Sequence, residues 1–292
     1  MKGALRSFTG FTIVEVMIAL AVSGAILVAG ISVLSGRNSD TQFDQAVYDL
    51  QSKFQSYISQ VSSKSIPGYQ QYTCKNVDNM PTLTQLSGPA GDETTGGDCI
   101  YLGQAVEVIK GGNTIYAYPV LGLSTIPGSN PPTYPTDPVS AHQEPAMNNP
   151  EATSVPPLTF YLVDTYPLLN GLTVDTAFIS GGPGVEKDML ALYSDLQSSN
   201  TSGNEISATS STMTFGTTDV PTSTNISSLK RIQTCIEQNG ACTSSTDLSS
   251  KTWLLCVTNG TRYAQLAVRG TPTGISITPN LSITNKSTCE GS

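Results

Sequence analysis

Few side chains in this sequence stand at spacings that chemistry uses. Ser227-Ser228-Leu229-Lys230 has the SxxK spacing that sets a lysine beside a nucleophilic serine on a helix, as acyl transfer requires. Neither an SDN nor a KTG follows it, and serine is abundant throughout, so chance accounts for the match. The loop Gly91–Asp98 carries Asp92, Glu93 and Asp98, oxygen donors of the kind calcium takes. It lacks the alternating acidic spacing of a calcium loop and reads as a solvated turn. Ser180-Gly181-Gly182-Pro183-Gly184 precedes a helical pattern without a lysine to contact phosphate, and is read as a turn. The single histidine, His142, is stranded among prolines, which leaves little for His-dependent hydrolysis or His-rich metal sites. We therefore expect no enzyme, no metal and no cofactor.

The cysteines are Cys74, Cys99, Cys235, Cys242, Cys256 and Cys289. Their even number, their irregular spacing and the absence of CxxC fit a disulfide framework formed outside the cytoplasm better than zinc. Six cysteines allow 15 connectivities; short loop closure favours Cys74 with Cys99, and of the arrangements open to the last four, Cys235 with Cys242 and Cys256 with Cys289 is the one expected. Five sequons, at Asn200, Asn225, Asn259, Asn280 and Asn285, arise by chance in a chain so rich in Ser, Thr and Asn, and no glycosylation site is claimed. The balance of 14 Lys+Arg against 22 Asp+Glu, a formal −8, opposes a nucleic-acid surface built on net charge. A small basic patch from Lys230-Arg231 with Arg262 and Arg269 does not reverse that, and no nucleic-acid partner is expected.

The strongest signal lies at the N-terminus. Residues 1–10, MKGALRSFTG, hold Lys2 and Arg6 and no acid; Phe11–Leu34 then reads FTIVEVMIALAVSGAILVAGISVL, with Glu15 its one ionisable side chain. About 20 apolar residues suffice to cross a bilayer, so this segment is expected to span or insert. The basic leader places the N-terminus in the cytoplasm and the bulk of the chain outside. The apolar run is longer than the core of an ordinary signal peptide. A carboxylate inside it costs about 2.5–3.5 kcal/mol at mid-bilayer, which calls for a positively charged partner.

Gly10-Phe11-Thr12-Ile13-Val14-Glu15, with the basic leader before it and the apolar helix after it, resembles the processing and assembly signature of type IV pilins and pseudopilins. The specific match covers residues 3–64. The resemblance implies cleavage between Gly10 and Phe11 by a prepilin peptidase, N-methylation of Phe11, and retention of the apolar helix. It further implies that Glu15 neutralises the N-terminal amine of a neighbouring subunit as helices bundle in a filament core. A glycine at the position of Gly24 starts an extensible stretch in the family, but Ser32 stands where many pilins have proline. The large mature chain favours a minor pilin over an abundant subunit. A pseudopilin of a secretion or DNA-uptake machine is the near alternative, and a signal-anchored extracellular enzyme or binding module the alternative of another class.

Behind these residues the expected elements follow. Phe43, Val47, Leu50, Phe54, Tyr57, Ile58 and Val61 recur at three- and four-residue steps and continue the helix as an amphipathic segment, 35–64, ended by Pro67-Gly68. A helix from Phe11 to Lys64 would be roughly 80 Å long at 1.5 Å per residue. Residues 65–99 read as a long stapled loop. Ile100–Ile109 and Thr114–Val120 form a hairpin around Gly111-Gly112-Asn113. Half of the 18 prolines lie in 124–157, an irregular insertion. Leu158–Val163, Leu172–Ile179 and Ile206–Phe215 read as strands, Val185–Gln197 as a helix, and Ser228–Gln238 as a short helix or strand. Trp253–Thr258, Arg262–Arg269 and Gly274–Ile283 form an antiparallel meander turning at Asn259-Gly260. The expected fold is α+β: a transmembrane-to-amphipathic helix on an antiparallel, disulfide-stapled β head spanning 65–292, in a single-pass membrane protein that ends in a cell-surface filament.

Overall fold

The computed structural model describes residues 12–64, 72–85, 98–135, 140–146, 162–180, 189–193, 212–215, 246–247, 252–271, 274–283 and 285–289. The chain divides into two units, Met1–Gln45 and Ala46–Ser292. Helix α1, Ile13–Ser63, runs through 51 residues. Among the described residues thirteen strands follow: β1 (Tyr72–Val77), β2 (Met80–Gln85), β3 (Cys99–Val108), β4 (Thr114–Leu123), β5 (Glu144–Pro145), β6 (Asp164–Pro167), β7 (Thr173–Ile179), β8 (Met189–Tyr193), β9 (Thr212–Phe215), β10 (Thr246–Asp247), β11 (Thr252–Thr258), β12 (Tyr263–Thr271) and β13 (Gly274–Ile283). A short helix α2, Lys286–Cys289, comes last among the described residues.

The α+β expectation built on a transmembrane helix is corrected. Among the described residues strand exceeds helix, 45% against 30%, and no helix is long and apolar enough to cross a membrane. The reason lies in α1. Among its described side chains Glu15 interrupts the apolar run of Ile13–Ala29, and from Asn38 the helix carries Ser39, Asp40, Thr41, Gln42 and Asp44. A span takes about 20 consecutive, predominantly apolar residues. The bilayer-crossing role expected of 11–34 is therefore set aside.

The head, Ala46–Ser292, holds two main antiparallel sheets and one separate hairpin among the described residues. The larger sheet runs β10-β9-β8-β3-β4-β5, with β6 also paired to β4; the smaller runs β13-β12-β11-β7. The predicted helical stripe is the buried one: Val47, Leu50, Phe54, Tyr57 and Val61 are sealed from solvent. Phe54 meets Trp253 of β11 with ring centroids 5.9 Å apart, and Lys53 pairs with Asp164 of β6 at 2.6 Å. This segment of the helix thus reaches both sheets, and its buried apolar residues recur at three- and four-residue steps.

Four readings of the head change. Val185–Gln197, expected as a helix, contains β8, because Met189, Leu190, Ala191, Leu192 and Tyr193 are all buried between β3 and β9; a short, wholly buried apolar run suits an interior strand. Residues 65–99 contain the β1–β2 hairpin, turned by Asp78 and Asn79 at φ 53° and 65°, the left-handed pair that a tight hairpin turn demands. In the Pro-rich insertion, Glu144–Pro145 forms the short strand β5 on β4. The strand expected at Leu158–Val163 begins instead at Asp164, with 158–161 outside the described residues. Strands β3, β4, β7, β11, β12 and β13 lie where the alternation placed them. Segment 228–238 lies outside the described residues.

Tyr118 and Glu107 form a buried polar pair on the larger sheet, the phenol donating to Glu107 Oε2 at 2.8 Å. Burial pushes the hydroxyls of Tyr57, Tyr118 and Tyr193 above the usual phenol range, with Asp164 adding to this at Tyr57 and Glu107 at Tyr118. Folding therefore favours neutral phenols, a contribution whole below the unfolded value near pH 10. Above that pH unfolded phenols ionise first, and stability falls by about 1.4 kcal/mol per pH unit for each such tyrosine. In an alkaline titration followed by absorbance and circular dichroism, exposed tyrosines should ionise while the fold persists, and the buried ones only as it is lost. Ionisation of all 12 tyrosines before any loss of dichroism would contradict this.

Candidate functional site

The first described turn of α1 is built by two residues that bond reciprocally. Thr12 Oγ1 accepts from the Glu15 backbone N–H at 3.3 Å, and Glu15 Oε2 accepts from the Thr12 N–H at 3.3 Å and from its hydroxyl at 3.2 Å. This is a capping box: an N-cap threonine and a glutamate three residues on satisfy amide groups that a helix start leaves orphaned. The carboxylate also sits at the positive end of the helix dipole. Glu15 thus has a local structural role that reading it only as a charge in an apolar run did not find, although Thr-x-x-Glu before an apolar run was there to be seen.

Beyond the cap the helix presents apolar side chains to solvent. Exposure runs from 46% at Val16 to 80% at Ile13 and includes Met17, Ile18, Leu20, Val22, Ile26, Leu27 and Val28. These positions go round the whole helix, not along one stripe, and a helix apolar all round is a buried helix. An exposed apolar surface of this extent marks an interaction site. Ser23 gives its hydroxyl back to the Ala19 carbonyl at 2.7 Å, so the polar side chain costs the apolar surface little. Gly24 has open space where a Cβ would stand.

Gly10 and Phe11 lie outside the described residues, as do Cys235, Cys242, Ser227–Lys230, Arg231, Asn200, Asn225, 181–184 and 91–97. Cys74–Cys99 and Cys256–Cys289 are disulfide-bonded, each with Cα atoms 5.8 Å apart. Asp98 is engaged locally: its Oδ2 accepts from the Asn76 N–H at 3.1 Å and its carbonyl from the Ser124 N–H and hydroxyl. Among the described residues no group of His, Cys, Asp and Glu is arranged to hold a metal ion. His142 is exposed with φ 51°. The sequons at Asn259, Asn280 and Asn285 share a local geometry, in which the asparagine oxygen accepts from the hydroxyl two residues on, at 3.0, 2.8 and 2.9 Å. Asparagine and Ser/Thr at this spacing close turns, and two of them flank β-strand ends.

No known family, curated protein or solved structure matches this chain. The capped, solvent-facing apolar helix is the feature from which a function can be argued.

Proposed function

We propose that this chain is a structural subunit of a type IV pilus-like filament, a minor pilin, cut between Gly10 and Phe11 by a prepilin peptidase, methylated on Phe11 and assembled through its N-terminal helix. The observation that carries this reading is the apolar surface of Ile13–Val28, exposed on every side of a capped helix. Each large side chain taken out of water contributes about 1.5–3 kcal/mol, so packing this helix among like helices is the most favourable step open to it. The second support is the sequence around the proposed cut, Gly10-Phe11-Thr12-Ile13-Val14-Glu15, which resembles the pilin processing signature; on this reading Glu15 pairs with the terminal amine of a neighbouring subunit. The β-rich head then lies outside the cytoplasm, where its disulfides form and persist. It works without a cofactor, and its partners are the peptidase and other pilin subunits.

Mass spectrometry of the N-terminal peptide from cell-associated protein tests this reading. The expected terminus is a methylated Phe11. An intact Met1 in cells that contain a prepilin peptidase, or a start at Gly24, would overturn it.

A further inference from the structure

The head contains a cleft of about 410 Å³ beside Lys53 and Gln60 of α1, Tyr101 and Gln104 of β3, and Leu162 and Asp164. This is the size of small-molecule sites, and every described residue lining it belongs to the head. We propose that the cleft binds a neutral saccharide.

A change of register in β3 builds it. Tyr101 pairs with Leu121 and Gln104 with Pro119, with a register shift between Tyr101 and Gly103. Residues three apart on a regular strand point to opposite faces, but these two oppose β4 residues two apart, and so share a face. The inserted residue re-aims Tyr101 and Gln104 together, as bulges beside binding sites do. Gly103 is required there: a Cβ would run into the Leu192 carbonyl of β8. The bulge is fixed by backbone packing and does not depend on the side chains that line the cleft.

The chemistry of the lining selects the ligand. Lys53 and Asp164 neutralise each other at 2.6 Å, and the Lys53 ammonium lies 5.1 Å from the Tyr57 ring centroid and 5.7 Å from that of Tyr166. An anion or cation would have to break that arrangement, whereas a neutral ligand can use its outer lone pairs and N–H groups. Two glutamine amides offer both donors and acceptors; Gln60 Nε2 also donates to Ser56 Oγ at 3.5 Å, which leaves its second N–H and its carbonyl for a ligand. Gln104 is only 3% exposed, and a buried amide wants partners; the cleft is where it meets open space. Tyr101 adds a half-buried aromatic ring, whose hydroxyl burial keeps protonated as a donor. Paired hydroxyls beside a face of C–H groups, as on a pyranose ring, match this set. Leu162 stands at the cleft in left-handed backbone, φ 62°, a genuine outlier for a bulky side chain, and such strain gathers at ligand sites.

The test is saturation-transfer NMR on the full chain in a sugar-free amine-oxide detergent, with methyl glucoside, methyl galactoside, methyl mannoside and N-acetylglucosamine as probes, and choline and inorganic phosphate as charged comparators. At least one saccharide should bind with a Kd of about 1 mM, and Gln60→Ala and Gln104→Leu should each weaken it about tenfold or more. Gln55→Ala, on an exposed position away from the cleft, should not. Should Gln104→Leu not fold, the half-buried Gln60 decides alone. The proposal is overturned if no saccharide receives saturation from folded protein, if Gln60→Ala binds as wild type, or if choline or phosphate binds more tightly. It involves no residue before Lys53, so its outcome is separate from that of the filament reading.

Discussion

Glu15→Gln should leave the leader cleaved and the helix capped, yet lower incorporation into sheared filaments about a hundredfold. The capping box accepts glutamine in place of glutamate, so the contacts with Thr12 survive while the charge is lost. On the filament reading the terminal amine of a neighbouring subunit then stays buried without a counter-ion. Removing one partner of a buried pair costs about 3–5 kcal/mol, which is two or more powers of ten in the assembly equilibrium. Thr12→Ala makes the opposite cut: it keeps the carboxylate and removes the cap, at about 1 kcal/mol, and should lower incorporation only severalfold. Glu15→Val removes both and should be at least as severe as glutamine. Immunoblots of sheared and cell-bound fractions measure the ratio. Glutamine entering filaments as well as glutamate, with Thr12→Ala the more damaging, would show that residue 15 serves the helix start and not subunit pairing.

The parts of the fold that were legible are those in which one strand or helix carries its own pattern. The alternation in β3 and β4 and the turn glycines between them placed that hairpin, and Gly111 does take the positive φ of 73° that the turn needs. The 3–4 spacing from Val47 to Val61 placed the buried face of α1. Strand β8 was not legible, because Met189, Leu192 and Tyr193 also fit helical spacing and a short apolar run does not distinguish the two; its position between β3 and β9 decides. Gly103 inside a strand was a sign of a bulge, but a glycine alone does not say which side chains the bulge re-aims. The cleft was hidden for a related reason. Its residues come from α1, β3 and the approach to β6, and only the pairing of those elements brings them together.

Breaking the Cys256–Cys289 disulfide should be the most damaging change within the head. The bond joins residues 33 apart, and closing a loop of that length removes about 3–4 kcal/mol of unfolded-chain entropy. Its position adds to this. Cys256 is fully buried in β11, between β12 and β7, and Cys289 is buried in α2, where its carbonyl accepts from Gln265 Nε2 of β12 at 2.8 Å. The segment is further tied by Lys286 to Asp175 of β7 at 3.0 Å, a pair whose lysine is half exposed and which is therefore a weaker tie than the covalent bond. The double variant Cys256→Ala, Cys289→Ala avoids leaving a buried thiol or hydroxyl. It should lower the unfolding midpoint by about 6–16 °C, at 2–4 °C per kcal/mol for a domain of this size, and α2 amides should exchange freely at temperatures where β11 is still protected. Scanning calorimetry gives the first number and hydrogen exchange the second. Exchange in α2 as slow as in the wild type would mean that side-chain packing, and not the disulfide, holds this segment.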